Sequence, residues 1–523
     1  MNSARCVDKI IPLRELLEGV LTLRDDQDAE ITGLESDSRR LKPGDLFVAL
    51  KGVEGHGIRF LDQARRAGCA AVIYDPEGAE LGALDSASGL HVLPVNGLLG
   101  KVGEIADRFY GWSPSEMGLI AVTGTNGKTS CTHFLAEALG RDQPAGVIGT
   151  LGWGVPPELS PTQNTTPGLI ELRRILRDMA RQGCRWVALE ASSHGLAQGR
   201  MGGLRFEGAL FTNFSRDHLD YHETMDAYLE SKLLLAEWPA LRFIVFHVGE
   251  AFEGPIIERA HPDVRIIGVA AEDLECNLSF PVLRYGEAEF DAEGMSFRVR
   301  FGGATAQVRV PLFGEFNVEN VAGTLGVLVG LGYSLEDSVA RVSSLRPIPG
   351  RMQRVDCASR QVIVDYAHTP DALENSLKAA RHHTQGELWV IFGCGGNRDR
   401  GKRHEMGRVA ARFADHLVLT DDNPRDEDGQ LIIQEILLGV GSKPATVMRD
   451  RRQAIRHAIS MIGPEDLLLV AGKGHETTQE VAGVKYPFND REVIEESCRQ
   501  LAAPSGSFTV KGSPVSHGGA ACC

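Results

Sequence analysis

One glycine-rich segment, residues 123–129, has the composition of a phosphate-binding loop. It reads Thr-Gly-Thr-Asn-Gly-Lys-Thr, follows the apolar run 119–122 and precedes an amphipathic stretch over residues 130–139. A strand, a glycine-rich turn and a helix in this order bring backbone N–H groups and a helix N-terminus onto phosphate oxygens. Lys128 adds a positive charge, and the Thr129 hydroxyl can face Mg²⁺. The segment therefore predicts a nucleotide-triphosphate site.

The segment departs at one position from the general phosphate-loop pattern G-x-x-x-x-G-K-[ST]. Val122 stands where that pattern has its first glycine. A chance Gly-Lys-Thr in a surface loop is the alternative, but that interpretation leaves the flanking strand and helix unexplained.

Polar residues end two further apolar runs. Glu190 closes the run 186–190, and residues 211–222, which include His218, follow another run. Open α/β sheets bind ligands at the carboxyl ends of their strands, and Glu and His supply oxygen and nitrogen to divalent ions. Both side chains are candidate anchors for the Mg²⁺ that bridges ATP phosphates. Either one, taken alone, could also be an ordinary polar residue at a strand end.

Short apolar runs alternate with amphipathic stretches over most of the chain, which predicts parallel sheets and an α/β fold class. Breaks at residues 110–114 and around Pro349 suggest three α/β domains, the first of them small. The predicted domains are residues 1–116, 117–347 and 348–502, and a Gly/Ser/Pro-rich tail over 503–523 is predicted to be disordered. Predicted strands are residues 45–50, 70–74, 119–122, 186–189, 208–212, 243–247, 361–365, 388–392, 416–420 and 466–471; residues 289–311 form a predicted antiparallel patch, and 60–67 and 317–332 are predicted helices.

Composition excludes several classes of protein. Hydrophobic residues make up 43% and charged residues 24% of the 523 residues, as in ordinary soluble proteins. The net charge of −15 disfavours nucleic acid as a partner. Ten scattered cysteines without a Cys-x-x-Cys pair predict a reducing, cytoplasmic location and no metal cage. No signal peptide and no membrane span are predicted, because charges interrupt every long apolar stretch.

The string Thr-Gly-Thr-Asn-Gly-Lys-Thr resembles the ATP loop of the Mur ligases and their folylpolyglutamate synthetase relatives. The resemblance extends over roughly residues 25–500. It implies a P-loop ATPase-like central domain with a mostly parallel sheet, a Rossmann-like C-terminal domain, and an ATP site between these two domains. The implied chemistry is the transfer of the γ-phosphate of ATP to a substrate carboxylate, followed by attack of an amine on the acyl phosphate.

The resemblance also assigns nucleotide and metal positions. Those implied for catalysis are Lys128, Glu190, His218 and Lys232. Those implied for ATP are Gly124, Thr125, Asn126, Gly127, Lys128, Thr129, Ser130, Asn317, Asn320, Arg351, Asp365 and His368. Mg²⁺ would be held by Thr129, Glu190, His218 and Lys232, the last carrying a carbamate formed from CO₂. The sequence around Lys232 alone predicts only a solvated helix face.

Further strings resemble the parts of one Mur ligase that bind a uridine nucleotide carrying a muramoyl dipeptide. The implied contacts are Ser38, His56, Asn164, Thr165, Thr166, Ser192, Ser193, Gln198 and Arg200. Hydroxyls, amides and a guanidinium suit a substrate with a diphosphate, a sugar and carboxylates.

The implied amine-binding residues are Arg398, Asp422, Asn423, Pro424, Arg425, Gly472 and Glu476. The string Asp-Asn-Pro-Arg resembles the version found in ligases that add meso-diaminopimelate. That amino acid has a second carboxylate that lysine lacks, and Arg425 can pair with it bidentately. Arg398 and Glu476 would hold its other charged groups.

The expected activity is therefore addition of meso-diaminopimelate to UDP-N-acetylmuramoyl-L-alanyl-D-glutamate, with ATP and Mg²⁺, in peptidoglycan precursor synthesis. A monomer without nucleic-acid partners is expected. Ligases of the same family that add L-lysine, or that extend folylpolyglutamate, are the close alternatives. A nucleotide-binding switch, or a scaffold that has lost ligase activity, is the alternative from another class.

Overall fold

The computed structural model describes residues 10–52, 55–79, 90–275, 278–291, 293–357 and 360–502. The tail 503–523, predicted to be disordered, lies outside these residues. The chain divides into two compact units between Ile348 and Pro349, within the proline-rich break seen in the sequence. The α/β fold class is confirmed, since strands and helices alternate through both units. Among the described residues, no helix combines the length and the apolar character needed to cross a membrane.

The first unit is built from nineteen described strands. In chain order they are Ile11–Pro12 (β1), Glu30–Ile31 (β2), Gly33–Glu35 (β3), Asp45–Ala49 (β4), Lys51–Gly52 (β5), Gly55–His56 (β6), Ala71–Tyr74 (β7), His91–Pro94 (β8), Gly118–Thr123 (β9), Ala145–Gly149 (β10), Gly152–Val155 (β11), Glu158–Ser160 (β12), Trp186–Glu190 (β13), Gly208–Phe211 (β14), Phe243–His247 (β15), Arg265–Ala271 (β16), Val282–Asp291 (β17), Gly294–Phe301 (β18) and Ala304–Val310 (β19).

Its helices surround these strands. They are Leu13–Leu16 (α1), Leu61–Ala67 (α2), Leu98–Tyr110 (α3), Lys128–Leu139 (α4), Leu169–Arg181 (α5), Ser193–Ala197 (α6), Leu219–His222 (α7), Met225–Leu233 (α8), Glu253–Arg259 (α9), Phe316–Gly330 (α10) and Leu335–Val342 (α11), with short 3₁₀ turns at Asp25–Gln27, Ser38–Arg40 and Gly57–Phe60.

Two sheets organise the first unit. A parallel four-stranded sheet has the order β3-β4-β7-β8. An eleven-stranded sheet has the order β12-β11-β10-β13-β9-β14-β15-β16-β17-β18-β19. The seven strands from β10 to β17 in this order are parallel, and antiparallel hairpins extend both edges, so the prediction of a mostly parallel central sheet is confirmed. Its central strands are near-continuous apolar runs because both faces are covered.

Separate apolar cores cover the two faces of the large sheet. Phe134 of α4 and Leu325 of α10 belong to one core, and Leu176 of α5 and Phe252 belong to the other. Helix α10 has buried residues around its whole circumference, which explains its continuous apolar sequence. The phosphate-loop candidate therefore starts from the most deeply buried part of the sheet.

The second unit contains a six-stranded sheet. Its strands are Gln353–Cys357 (β20), Arg360–Asp365 (β21), Leu388–Phe392 (β22), His416–Leu419 (β23), Ala445–Val447 (β24) and Leu467–Ala471 (β25), in the order β20-β21-β25-β22-β23-β24. Only β20 is antiparallel to its neighbour. A hairpin of Thr478–Val481 (β26) and Val484–Pro487 (β27) follows. The helices are Pro370–His382 (α12), Gly401–Phe413 (α13), Gly429–Val440 (α14), Arg451–Met461 (α15) and Asp490–Ala502 (α16).

A disulfide joins Cys357 in β20 to Cys498 in α16, 141 residues apart in the chain. This pairing is not expected for the reducing location that the scattered cysteines predicted, and it arises from the packing of α16 against the edge strand β20. The other described cysteines, Cys69, Cys131, Cys184 and Cys394, are buried thiols.

The predicted strands agree with the observed strands to within one residue at each end, and the two predicted helices agree to within two. The predicted antiparallel patch is the main difference. Its first strand, β17, begins at residue 282 rather than 289; it pairs in parallel with β16 through residues 282–285 and antiparallel with β18 from residue 284 onward. Arg284, Gly286 and Glu287 interrupt the apolar pattern there and conceal the strand in the sequence.

Candidate active site

The glycine-rich loop leaves the end of β9 and enters α4, as predicted. Gly124 and Gly127 have positive φ values of 140° and 84°. A Cβ on Gly124 would lie 1.8 Å from Thr212 Oγ1, so this position has room for glycine only. Lys128 Nζ donates to the carbonyl oxygens of Gly124 and Thr125, both at 2.8 Å. Lys128 thus binds the backbone of its own loop, and the loop leads into the N-terminus of α4.

The residues after β14 hold this loop in place. Thr125 N donates to Asn213 O at 2.8 Å, and Asn126 N donates to Asn213 Oδ1 at 2.9 Å. Thr212 Oγ1 donates to Asn126 O at 2.6 Å. Thr212 and Asn213 were missed in the sequence, although their place directly after a buried strand was a usable signal. Thr129 and Ser130, in the first turn of α4, are buried.

Lys232 lies beneath the same loop and is only 1% exposed, so the prediction of a solvated helix face is wrong. Its Nζ donates to Gly124 O at 2.7 Å and lies 4.5 Å from the centroid of the Tyr228 ring. Burial, together with the charge of Lys128, holds the pKa of the Lys232 amine well below its usual range. The error arose because α8 packs its polar face against the phosphate loop, which periodicity alone does not indicate.

Histidine and tyrosine rings cluster beside Lys232. The His218 ring lies 5.0 Å from that of His194 and 5.9 Å from that of Tyr228. His218 Nε2 is 3.5 Å from Asp217 Oδ2, and the His218 side chain is 42% exposed. The backbone of His218 has φ 53°, a left-handed conformation, at the residue before α7.

Glu190 is 1% exposed and sits beside the phosphate-loop strand, where it is paired with Val122 in the sheet. Its Oε1 accepts from Thr150 N at 2.9 Å, and its Oε2 accepts from Thr150 Oγ1 at 3.1 Å. A Cβ on Gly149 would lie 2.1 Å from Glu190 Oε1, so Gly149 leaves space for the carboxylate. Neither Gly149 nor Thr150 was identified from the sequence.

The donor set fits a Mg²⁺ ion that is shared with phosphate groups. Glu190 is the last residue of β13, and Thr129 and His218 lie in the segments that follow β9 and β14; these three strands are neighbours in the sheet. Within the described ranges, no three His, Cys, Asp or Glu side chains form a metal cage by themselves. Mg²⁺ bound to ATP typically takes one or two protein carboxylates and completes its shell with phosphate oxygens and water.

Four of the residues implied for the muramoyl dipeptide, Thr166, Ser192, Gln198 and Arg200, form one hydrogen-bonded group. Thr166 Oγ1 donates to Glu190 O at 2.6 Å and lies 2.9 Å from Ser192 Oγ. Arg200 donates to Thr166 O at 2.8 Å and to Gln198 Oε1. Thr165 is linked to Glu190 through Thr150, since the hydroxyls of Thr165 and Thr150 are 3.1 Å apart. Asn164 is exposed and Ser193 is buried at the start of α6.

Ser38 and His56 are both buried, in the 3₁₀ turn Ser38–Arg40 and at the end of β6. His56 Nδ1 accepts from Ile58 N at 3.1 Å, and its Nε2 has no hydrogen-bond partner in the described part of the chain. No hydrogen bond between these two side chains is found among the described residues.

The positions implied for adenine, ribose and phosphates are divided between the two units. Asn317 and Asn320 belong to the first unit, where Asn320 Nδ2 donates to Asn317 Oδ1 at 3.0 Å. Asn320 Oδ1 would be 2.4 Å from a Cβ on Gly127, so Asn320 packs against the phosphate loop. Its role in the structure is to support that loop.

In the second unit, Arg351 stacks over the Tyr366 ring at 4.5 Å. The Asp365 carboxylate accepts from Met352 N at 2.9 Å and from Ser376 Oγ at 2.6 Å. His368 is exposed, and its Nδ1 lies 2.8 Å from Tyr366 O. Asp365 thus fixes the chain around Arg351.

The residues implied for the amino acid gather at the carboxyl ends of β22, β23 and β25. Asn423 Nδ2 donates to Glu476 Oε2 at 2.9 Å. Arg425 donates to Gly396 O at 2.7 Å and lies 3.5 Å from Glu480 Oε2. Gly395 lies between Arg425 and Arg398, since a Cβ there would be 2.9 Å from Arg425 Nη1 and 3.7 Å from Arg398 Cγ. Both arginine side chains therefore pass close to Gly395.

The end of β25 completes the cluster. Gly472 has φ 112°, and a Cβ there would be 2.5 Å from Asp422 Oδ2. Pro424 O would meet a Cβ on Gly396 at 1.9 Å, so the two loops are in close contact. The hairpin residues Gln479 and Glu480 also bind the Asp-Asn-Pro-Arg loop, through Asp422 O and Asn423 Oδ1. Both were missed because their partners are 57 residues away in the chain.

Comparison with known proteins gives consistent matches along the chain. The family models for the Mur ligase family catalytic domain, the Mur ligase middle domain and the Mur ligase glutamate ligase domain match residues 30–110, 122–328 and 350–474. A protein of Alkalilimnicola ehrlichii named UDP-N-acetylmuramoyl-L-alanyl-D-glutamate–2,6-diaminopimelate ligase is 42% identical, covering 93% of this chain and 98% of its own. A protein of the same name from Coxiella burnetii is 42% identical, covering 91% and 96%. A solved structure with that name is 32% identical, with a TM-score of 0.66, and covers 94% of this chain and 100% of its own.

Proposed function

Because the chain belongs to the Mur ligase family, we propose that it is an ATP-dependent ligase that adds meso-diaminopimelate to UDP-N-acetylmuramoyl-L-alanyl-D-glutamate. The bond formed is an amide between the D-glutamate γ-carboxylate and an amino group of diaminopimelate. The observation that carries the proposal is that one chain contains both a candidate ATP site and a candidate amino-acid site. The first is the phosphate loop, where two lysines donate to Gly124 O, and the second is the cluster of Asn423, Arg425 and Glu476.

The proposed reaction has two steps. A γ-carboxylate oxygen attacks the γ-phosphorus of ATP, the bond to the bridging oxygen of ADP breaks, and an acyl phosphate forms. The amine then attacks the acyl carbon, phosphate leaves with the former carboxylate oxygen, and the amine loses a proton. Catalysis of such a transfer is mainly positioning and charge neutralisation. In this proposal, Lys128 and the N–H groups at the start of α4 supply both.

Mg²⁺ held by Thr129, Glu190 and His218 would neutralise phosphate charge when bound. We further propose that Lys232 is carbamylated. Its neutral amine adds to CO₂, an N–C bond forms, and one proton is released, so a neutral group becomes an anion; starting from the ammonium, two protons are released in all. Two observations support the assignment, since Lys232 donates to the same Gly124 O as Lys128 and is almost completely buried. Conversion to an anion removes the repulsion between the two lysines.

Arg425 is the basis for choosing diaminopimelate over lysine. Its guanidinium is held at Gly396 O and near Glu480, with 23% of the side chain exposed. A second carboxylate on the amino acid would give this cation an anionic partner, which lysine cannot do. The name shared by relatives that are 42% identical points to the same amino acid. L-Lysine remains the alternative substrate that the test must include.

The group of Thr166, Ser192, Gln198 and Arg200 is proposed to bind the muramoyl dipeptide, and Ser38 and His56 the uridine nucleotide. We propose three domains with the boundaries given by the sequence, action as a monomer in the cytoplasm, and a role in peptidoglycan precursor synthesis. A folylpolyglutamate substrate and a nucleotide switch are disfavoured, because both leave the group around Thr166 and the Arg425 cluster without a role.

Oxygen transfer tests the proposed chemistry. The purified protein is supplied with ATP, Mg²⁺, meso-diaminopimelate and substrate labelled with ¹⁸O in the D-glutamate γ-carboxylate. The expected result is phosphate carrying one ¹⁸O and a product that contains diaminopimelate. Unlabelled phosphate would contradict the acyl phosphate, and incorporation of lysine in preference to diaminopimelate would contradict the proposed substrate.

A further inference from the structure

A completely buried lysine lies inside the cluster that is proposed to bind the amino acid. Lys473 is 0% exposed, directly after Gly472. Its Nζ donates to Glu476 Oε2 at 2.7 Å and to Asn423 Oδ1 at 3.0 Å. A buried ammonium is costly unless it is paired and hydrogen-bonded, and this one has both kinds of partner. The sequence analysis gave Lys473 no role.

Lys473 determines which way the Asn423 side chain faces. Asn423 Oδ1 accepts from Lys473 Nζ and also from Glu480 N at 2.9 Å. Because the oxygen faces two donors, the amide nitrogen must point the other way, where it donates to Glu476 Oε2 at 2.9 Å. The three side chains of Lys473, Asn423 and Glu476 form a closed triangle of hydrogen bonds.

The triangle also fixes the Glu476 carboxylate. Both of its side-chain hydrogen bonds fall on Oε2. Among the described residues no hydrogen bond reaches Oε1, and 30% of the Glu476 side chain is exposed. The geometry therefore leaves Oε1 as the oxygen that can accept from a ligand ammonium. Without Lys473, the carboxylate would lose a charge-assisted hydrogen bond and be free to rotate.

We propose that Lys473 is a positioning residue of the amino-acid site, which holds Glu476 Oε2 and Asn423 so that Glu476 Oε1 receives an ammonium group of the incoming amino acid. This inference rests on the proposed function. Lys473 acts through Glu476 and does not itself touch the substrate. Its loss is expected to weaken binding of the amino acid while leaving ATP binding unchanged.

The test is steady-state kinetics of Lys473→Met, with the amine that supports turnover in the wild-type enzyme. Loss of one partner of a buried charged pair is expected to raise KM for the amino acid by about 10-fold or more and to change KM for ATP by less than about 3-fold. Lys378→Met, on an exposed helix face with 48% of the side chain exposed, is the matched control and should leave both constants unchanged. Equal changes in both KM values would overturn the proposal.

A double variant separates positioning from general destabilisation. If Lys473 acts through Glu476, adding Lys473→Met to Glu476→Gln should worsen KM for the amino acid by less than about 3-fold. If the fold-changes in KM caused by the two substitutions multiplied in the double variant, the two residues would act independently, which would contradict the proposal. If Lys473→Met does not fold, Lys473→Gln provides the same comparison, because it keeps a polar side chain at the buried position but removes the charge-assisted hydrogen bonds to Glu476 Oε2 and Asn423 Oδ1. An unchanged KM for the amino acid in Lys473→Gln would then overturn the proposal.

A wild-type enzyme that used lysine but not diaminopimelate would refute the proposed substrate alone. The Lys473 comparison would still be made with lysine, since both amino acids carry ammonium groups.

Discussion

Thr150 holds both carboxylate oxygens of Glu190, one through its backbone N–H and the other through its hydroxyl. The same hydroxyl lies 3.1 Å from that of Thr165, in the segment proposed to bind the muramoyl dipeptide. Gly149 leaves the space that the carboxylate occupies. The proposed metal anchor is thus fixed by a residue that also contacts the proposed substrate segment.

Replacing Thr150 by valine should therefore weaken Mg²⁺ binding. The valine keeps the shape and the backbone N–H but loses the hydroxyl, so one of two hydrogen bonds to Glu190 is lost. The net loss should be about 1 to 2 kcal/mol, which is roughly a 5- to 30-fold rise in the Mg²⁺ concentration needed for half-maximal turnover. A Mg²⁺ titration of Thr150→Val measures it, with Thr150→Ser as the control that restores the hydroxyl. An unchanged Mg²⁺ requirement would contradict the role of Thr150.

Lys232→Ala should abolish turnover while leaving the fold intact. Alanine cannot form a carbamate, and the charge of Lys128 would lose its proposed counter-ion. Phosphate release measures turnover, and circular dichroism checks the fold. In the wild-type protein, ¹³CO₂ should label Lys232, and Lys378→Ala serves as a control for an exposed lysine. An active Lys232→Ala enzyme, or wild-type protein without a ¹³C label, would show that the carbamate assignment is wrong.

Arg425→Ala should impair diaminopimelate binding selectively. Truncation of one partner of a desolvated charge pair costs about 2 to 5 kcal/mol, which should appear as a raised KM for diaminopimelate. KM for ATP should stay nearly constant. The control is Arg491→Ala, on an exposed face of α16 in the same unit. Equal effects of Arg425→Ala on both substrates would place Arg425 outside the amino-acid site.

His247 should make the first unit sensitive to acid. It ends β15 and is buried beside Gly323, and burial lowers its pKa from 6.5 to about 4. Between these values the unfolded chain binds the proton and the folded chain does not, so the free energy of unfolding falls as the pH falls from 6.5 to 4. A pKa shift of this size is worth about 3 kcal/mol.

Urea unfolding at pH 7 and pH 4.5 tests this effect in His247→Gln. The variant should lose less stability between the two pH values than the wild-type protein does. His261→Gln, with 72% of the side chain exposed, should behave like wild type. An equal loss in His247→Gln and wild type would show that His247 does not contribute.

Much of the fold follows from local patterns in the sequence. Buried parallel strands such as β9 and β22 are apolar runs followed directly by a glycine, so their positions were predicted to within one residue. The burial of Lys232 and Lys473 could not be predicted from local sequence patterns. Both are buried by contacts with residues far away in the chain, Gly124 and Asn423 respectively, and no local pattern marks a lysine as buried. Thr150 was missed for the same reason, since its partner Glu190 lies on another strand.

The most direct test of the central claim is phosphate release by the purified protein with ATP, Mg²⁺ and UDP-N-acetylmuramoyl-L-alanyl-D-glutamate. Three reactions are compared, containing meso-diaminopimelate, L-lysine or no amine. We predict phosphate release that depends on diaminopimelate, with little release in the other two reactions. Release with lysine alone would contradict the role given to Arg425, and no release with either amine would contradict the proposed ligase activity.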